Sequence, residues 1–179
     1  MSHPEEPNPV KLIASLFSPD RKVLGEAKTE LSEGFGPMDW VSPEFFFDRT
    51  RYYEKEMGWP LYRLFVSFER LIRPEELVKV KWHTNDMEVH HSRGGKRQVN
   101  IDPGYICAER LILATAKNYT HRIYLAKGIY ADLTLVFKRG SFRALEWTYP
   151  DYADPNWITA FNDIRTRYME QIREGRRLD

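Results

Sequence analysis

Over residues 10–101 the chain runs strand, helix, strand, strand, helix, strand. That is the split βαβ, ferredoxin-like order, and it narrows the layered folds open to the chain. Residues 10–17 form an apolar run that predicts a buried central strand. Ser18, Pro19 and Asp20 break it, with Asp20 placed to cap a helix. Val23, Leu24, Ala27 and Leu31 keep helical spacing, and Gly34 and Gly36 stop the helix. Residues 45–57 predict a long strand, Gly58, Trp59 and Pro60 a turn, and residues 61–71 its antiparallel partner. Arg73-Pro74-Glu75-Glu76 starts a second helix, with Pro at N1 and acids in the first turn. Leu77, Val80, Thr84 and Met87 lie on one side of it, although residues 78–83 also alternate as a strand would. Residues 97–101 predict a strand that Asp102-Pro103-Gly104 closes.

Three further strands are expected: residues 110–116, residues 122–137 with a break at Lys127-Gly128, and residues 142–147 after an Arg139-Gly140 hairpin. Asp154-Pro155 opens a terminal helix carrying Trp157, Phe161, Ile164, Tyr168 and Ile172 at helical spacing, with a charged, fraying tail over 173–179. The expected fold is α+β: a ferredoxin-like (βαββαβ) core, an antiparallel β extension and a C-terminal helix. Residues 1–9, with three prolines, read as a disordered lead-in to a single domain over 10–179.

Composition excludes several classes. A chain of 179 residues buries roughly 70% of its unfolded surface, so it needs no covalent staple. Cys107 is the single cysteine, which rules out an intrachain disulfide and argues against structural zinc. No apolar run approaches a membrane span. Residues 1–7 are acidic and proline-rich, unlike a secretory signal, so a cytoplasmic protein is expected. Net charge is +1, which gives no general pull towards nucleic acid. Residues 61–127 carry 12 basic and 7 acidic side chains, however. That local excess is either a solvated face or an anion-binding cleft. There is no P-loop, no Gly-x-Gly-x-x-Gly and no nucleophile elbow.

The predicted hairpin, if it turns at Gly58-Trp59, sets Glu54 opposite Arg63, Thr50 opposite Ser67 and Asp48 opposite Glu69. Facing carboxylates repel, so Asp48 and Glu69 are either solvated or candidate ligands for Mg²⁺, the one cofactor this reading suggests. The run from Lys117 to Lys127 packs Lys117, His121, Arg122 and Tyr124 with Tyr119 into one turn and one strand. Arginine forks onto phosphate or carboxylate oxygens, lysine adds a point charge, and histidine titrates near neutrality. Trp147, Tyr149, Asp151 and Tyr152 cluster at a strand end, either to stack on a flat ligand or to pack a corner. Cys107, with no evident base nearby, reads as a small buried hydrophobe.

Several strings carry a resemblance. Residues 99–106 (VNIDPGYI), 109–115 (ERLILAT), 121–125 (HRIYL) and 147–152 (WTYPDY) resemble the bacterial family called domain of unknown function 4416. Thr50, Tyr52, Tyr53, Glu56, Met57 and Gly58, with Phe68-Glu69 and Thr84-Asn85, also look like its segments. The resemblance covers residue 9 to the terminal helix. It implies one intact domain of bacterial type and assigns no activity.

From the residues themselves, the favoured expectation is a cleft that binds, and could process, a small anionic ligand such as a phosphorylated metabolite or nucleotide. Lys117, His121 and Arg122 would neutralise the anion, with Tyr124 beside them. Trp147, Tyr149 and Tyr152 would stack on its flat part, with Asp151 nearby. Asp102 and His121 are the candidate proton-transfer groups. The alternatives are a single-stranded RNA-binding sheet and a partner-binding domain whose aromatics pack an interface, both without catalysis.

Overall fold

The computed structural model describes residues 3–178. In chain order it has β1 (Val10–Ser18), α1 (Arg21–Phe35), β2 (Met38–Val41), β3 (Phe45–Phe46), α2 (Glu54–Met57), β4 (Tyr62–Ile72), a 3₁₀ turn (Pro74–Glu76), α3 (Leu77–His90), β5 (Asn100–Ile106), β6 (Arg110–Thr115), β7 (Arg122–Ala126), β8 (Ile129–Lys138), β9 (Ser141–Ala144) and α4 (Pro155–Leu178). Residues 3–9 carry neither helix nor strand. Residues 1, 2 and 179, which belong to the expected lead-in and tail, lie outside the described residues. The fold is α+β, with one large antiparallel sheet in the order β2-β4-β1-β5-β6-β8-β7. β3 adds to β4 and β9 adds to β8.

All nine residues of β1 are buried between β4 and β5. Its side chains alternate between two covered faces. Leu12, Ala14 and Leu16 pack with Val23, Leu24, Ala27 and Leu31 of α1 and with Val80 and Met87 of α3. On the other face, Ile13, Phe65 and Leu113 pack with Phe161 and Ile164 of α4. Asp20 caps α1 as expected, its carboxylate accepting from the Lys22 and Val23 amides, and Gly36 ends the helix at φ 95°. Lys127-Gly128 and Arg139-Gly140 have positive φ throughout, as two-residue hairpin turns require. No helix among the described residues is long and apolar enough to cross a membrane.

The expected hairpin over residues 45–71 does not form. β4 is edged by β2, with Val41 opposite Val66, and by β3, with Phe45 opposite Arg63. Residues 38–46 thus fill the strand edge that 47–57 would need. Residues 47–57 instead leave the sheet, and Phe47 and Met57 pack with Phe17 and Leu61 in a small apolar cluster. Asp48 and Glu69 are therefore not a facing pair. Phe47 bonds the Leu61 carbonyl and Glu69 bonds that of Pro37, and eight residues of strand between 61 and 69 span roughly 26 Å. The expected strand end at Asp102-Pro103-Gly104 is also absent, because β5 runs on to Ile106.

Candidate functional site

The Asp102-Pro103-Gly104 string sits where two strands part. β5 pairs with β1 from Asn100 to Ile106 but with β6 only from Gly104 to Ile106. A Cβ on Gly104 would lie 2.2 Å from the Ile112 carbonyl oxygen, so glycine lets the strands close there. Pro103, which has no N–H, falls where β5 has a ladder on one side only. Asp102 is left in the open fork, on the face of the sheet that holds Ser15 opposite it in β1.

A cavity of about 540 Å³ fills this fork, within the usual range for small-molecule sites. The loop after β3, the inner side of α3, the start of β7 and the turn before α4 enclose it. It brings together Asp102, Lys117, Arg122, Tyr149, Asp151 and Tyr152. Arg49, Tyr53, Arg63, Lys81, Glu88, Arg97 and Asp132 also line it. A second hollow, about 690 Å³, opens beside Val78, Trp82 and Leu125, and none of the expected site residues lines it.

Arg122 is held on three sides. Its Nε donates to Asp132 at 2.8 Å, one Nη to the Lys117 carbonyl at 3.0 Å and the other to the Tyr149 hydroxyl at 2.8 Å. Two guanidinium N–H groups remain for an incoming acceptor. His121 does not line the cavity. Its Nε2 lies 3.2 Å from Asp132, and its ring stacks on Trp147 at 4.8 Å. Trp147 in turn donates its indole N–H to the Leu133 carbonyl. Both residues therefore stand behind Asp132 and fix the carboxylate that orients Arg122. Lys117 is exposed, with its ammonium 5.4 Å from the Tyr52 ring and no ion pair among the described residues.

The other expected residues have different surroundings. Asp151 is buried in an ion pair with Arg63, whose Nε also donates to Ser15 at 2.7 Å. Tyr152 is 2% exposed and stacks on Phe161, with its hydroxyl buried beside Ser15 and Arg63. Burial pushes that hydroxyl's pKa up. Tyr124 lies against Tyr130, away from the cavity. Asp48 and Glu69 do not line it. No group of three or more His, Cys, Asp or Glu among the described residues is set to hold a metal.

Several cavity residues come from α3 and the segment after it. Arg97 forks onto Glu56 at 2.6 and 2.8 Å and reaches Glu88 at 3.2 Å and Asn100 at 2.9 Å. These bonds hold the Glu56 carboxyl below its ordinary pKa and raise that of Arg97. Glu88 accepts the Ile101 amide at 2.6 Å, yet burial outweighs its partners and raises its pKa. Lys81 donates to the Ile101 carbonyl at 3.0 Å and lies 3.5 Å from Asp102. Tyr53 is pushed up to about 12, first by burial and then by the Asp102 charge. The signal for Lys81 and Glu88 was present. They fall on the same helical stripe as Leu77, Thr84 and Met87, where a charge implies a buried partner.

Four carboxylates line the cavity, and they differ in access. Side-chain exposure is 9% for Glu88, 4% for Asp132 and 9% for Asp151, against 35% for Asp102. Asp102 accepts from Asn100 at 2.8 Å and leaves lone pairs facing the cavity. Residues 8–168 match a protein family described as "Domain of unknown function (DUF4416)". No curated protein and no solved structure matches the chain.

Proposed function

The chain belongs to that family of unknown function, and from its own geometry we propose that the fork cavity binds a small anionic molecule carrying a phosphate or carboxylate. One observation carries this reading: Lys117, without an ion pair, and Arg122, with two free N–H groups, meet at one cavity. Arginine held by Asp132 and Tyr149 is preorganised, so little entropy is lost when it grips an anion. Tyr52, Tyr53 and Tyr149 supply ring faces and hydroxyls around it. Asp102, the accessible carboxylate, is the group to accept a proton if the ligand is also processed. His121 supports this site through Asp132.

A thermal-shift panel of phosphate, sugar phosphates, nucleotides and dicarboxylates tests the proposal. At least one anion should raise the melting temperature of the wild-type chain, and Arg122→Ala and Lys117→Ala should each weaken that rise. Melting that ignores every anion, or that responds equally in Arg122→Ala, would overturn it. The same reading extends to the architecture and the location. The order β2-β4-β1-β5, with α1 and α3 as the two crossings, supports a ferredoxin-like core. A metabolite-binding role fits a cytoplasmic protein, which fractionation of host cells checks.

A further inference from the structure

We infer that the ligand is a phosphorylated sugar, its phosphate held by Lys117 and Arg122 and its hydroxyls by Asp102 and the tyrosines. The inference rests on the anion-cleft reading and adds the chemistry of the ligand's other end. The cavity is not a simple basic hole. Six cations line it, of which Arg49, Arg63 and Arg97 are paired with Asp154, Asp151 and Glu56, while Lys117 has no ion pair among the described residues and Arg122 keeps two N–H groups. The cavity floor, inside the strand fork, is Asp102 with Asn100 and Lys81 around it. A purely anionic ligand would be repelled by Asp102, the most accessible of the four carboxylates.

Asp102 is committed to two partners, Asn100 and Lys81, and a carboxylate accepts about four hydrogen bonds. Its spare lone pairs call for ligand donors. Tyr53 and Tyr149 line the same cavity as Asp102. The Tyr149 oxygen accepts from Arg122, so its proton remains free to donate. Acceptor, donor and anion site thus share one cavity, with the Tyr149 hydroxyl against Arg122. A chain of carbons bearing hydroxyls and ending in phosphate presents groups that match all three. Hydroxyls donate to the carboxylate as well as accepting from phenols, whereas an ionised dicarboxylate or alkyl phosphate only accepts. A free sugar phosphate and the ribose phosphate of a nucleotide share this chemistry.

The test is isothermal titration of the full chain, with EDTA present, using ribose 5-phosphate, n-pentyl phosphate and AMP. Ribose 5-phosphate should bind at least tenfold more tightly than pentyl phosphate. Asp102→Asn should cut that ratio to within about threefold while leaving pentyl phosphate binding unchanged or stronger, because it removes a negative charge from the cavity. AMP binding more tightly than ribose 5-phosphate identifies a nucleotide as the source, and the reverse identifies a free sugar phosphate. Equal affinity of the wild type for ribose 5-phosphate and pentyl phosphate overturns the inference and leaves the anion cleft standing. So does a ratio unmoved by Asp102→Asn. Binding of no phosphate at all overturns the cleft itself. The wild-type comparison holds whatever the stability of the variant.

Discussion

The two faces of β1 are both buried, and they are closed by different forces. Leu12, Ala14 and Leu16 lie in one apolar cluster with side chains of α1, α3, β4 and β5. Removal of hydrocarbon area from water suffices there, at roughly 25 cal/mol per Å². Lys11, Ser15 and Arg63 lie on the other face, each buried. Lys11 pairs with Asp39 and donates to Gln171 of α4 at 2.8 Å. Arg63 pairs with Asp151 and Ser15 among the rings of Phe47, Phe65 and Tyr152. Buried charge needs a partner for every group. Where the second face reaches the fork, Lys117 has no ion pair among the described residues and Asp102 keeps lone pairs beyond Asn100 and Lys81, and a site opens.

The sharpest way to break this contrast is to remove Arg63. Arg63→Ala leaves Asp151 buried without its partner and should cost about 3–5 kcal/mol, whereas Arg63→Met with Asp151→Leu should recover most of the loss. Urea denaturation reads both. A loss under about 1 kcal/mol would mean that pairing does not hold this face. On the apolar face, Leu16→Ala should cost about 3 kcal/mol by the same measurement, and no second substitution of a polar residue should rescue it. At the fork, Gly104→Ala drives a methyl into the Ile112 carbonyl. It should lose about 2 kcal/mol and weaken binding of any cavity ligand, because the strands must shift.

The smallest expected effect is a pH dependence. Burial raises the Glu88 pKa in the folded chain, so the stability linked to it is present below the unfolded value near 4.3 and is lost as pH rises through the folded value. Glu88→Gln keeps an acceptor for the Ile101 amide and cannot ionise. Its melting temperature should therefore gain on the wild type between about pH 4 and neutrality. A difference that stays flat or shrinks towards neutral pH would show that Lys81 and Arg97 outweigh burial.

Much of the frame was legible in the sequence. The Asp20 cap, the apolar spacing of α1 and α4, and the Lys127-Gly128 and Arg139-Gly140 turns are local signals with local causes. The failures have tertiary causes. Residues 47–57 alternate like a strand, but β2 and β3 already occupy the edge of β4. Asp102-Pro103-Gly104 reads as a turn, yet its proline and glycine answer to the parting and closing of β5 and β6. For the site, Lys117, Arg122 and Tyr149 came from composition alone. His121 and Trp147 share a turn and strand end with them, but His121 turns to Asp132 and Trp147 stacks on His121. Arg97 and Glu56 lie 41 residues apart in the chain, a distance no local pattern spans. Lys81 and Glu88 were readable as charges on a core stripe.

Electron density from crystals soaked in ribose 5-phosphate tests the central claim most directly. The account predicts phosphate density within hydrogen-bonding reach of the Lys117 ammonium and the Arg122 guanidinium, with a sugar hydroxyl on Asp102. Density for the phosphate elsewhere on the molecule, with the fork left empty, would contradict it.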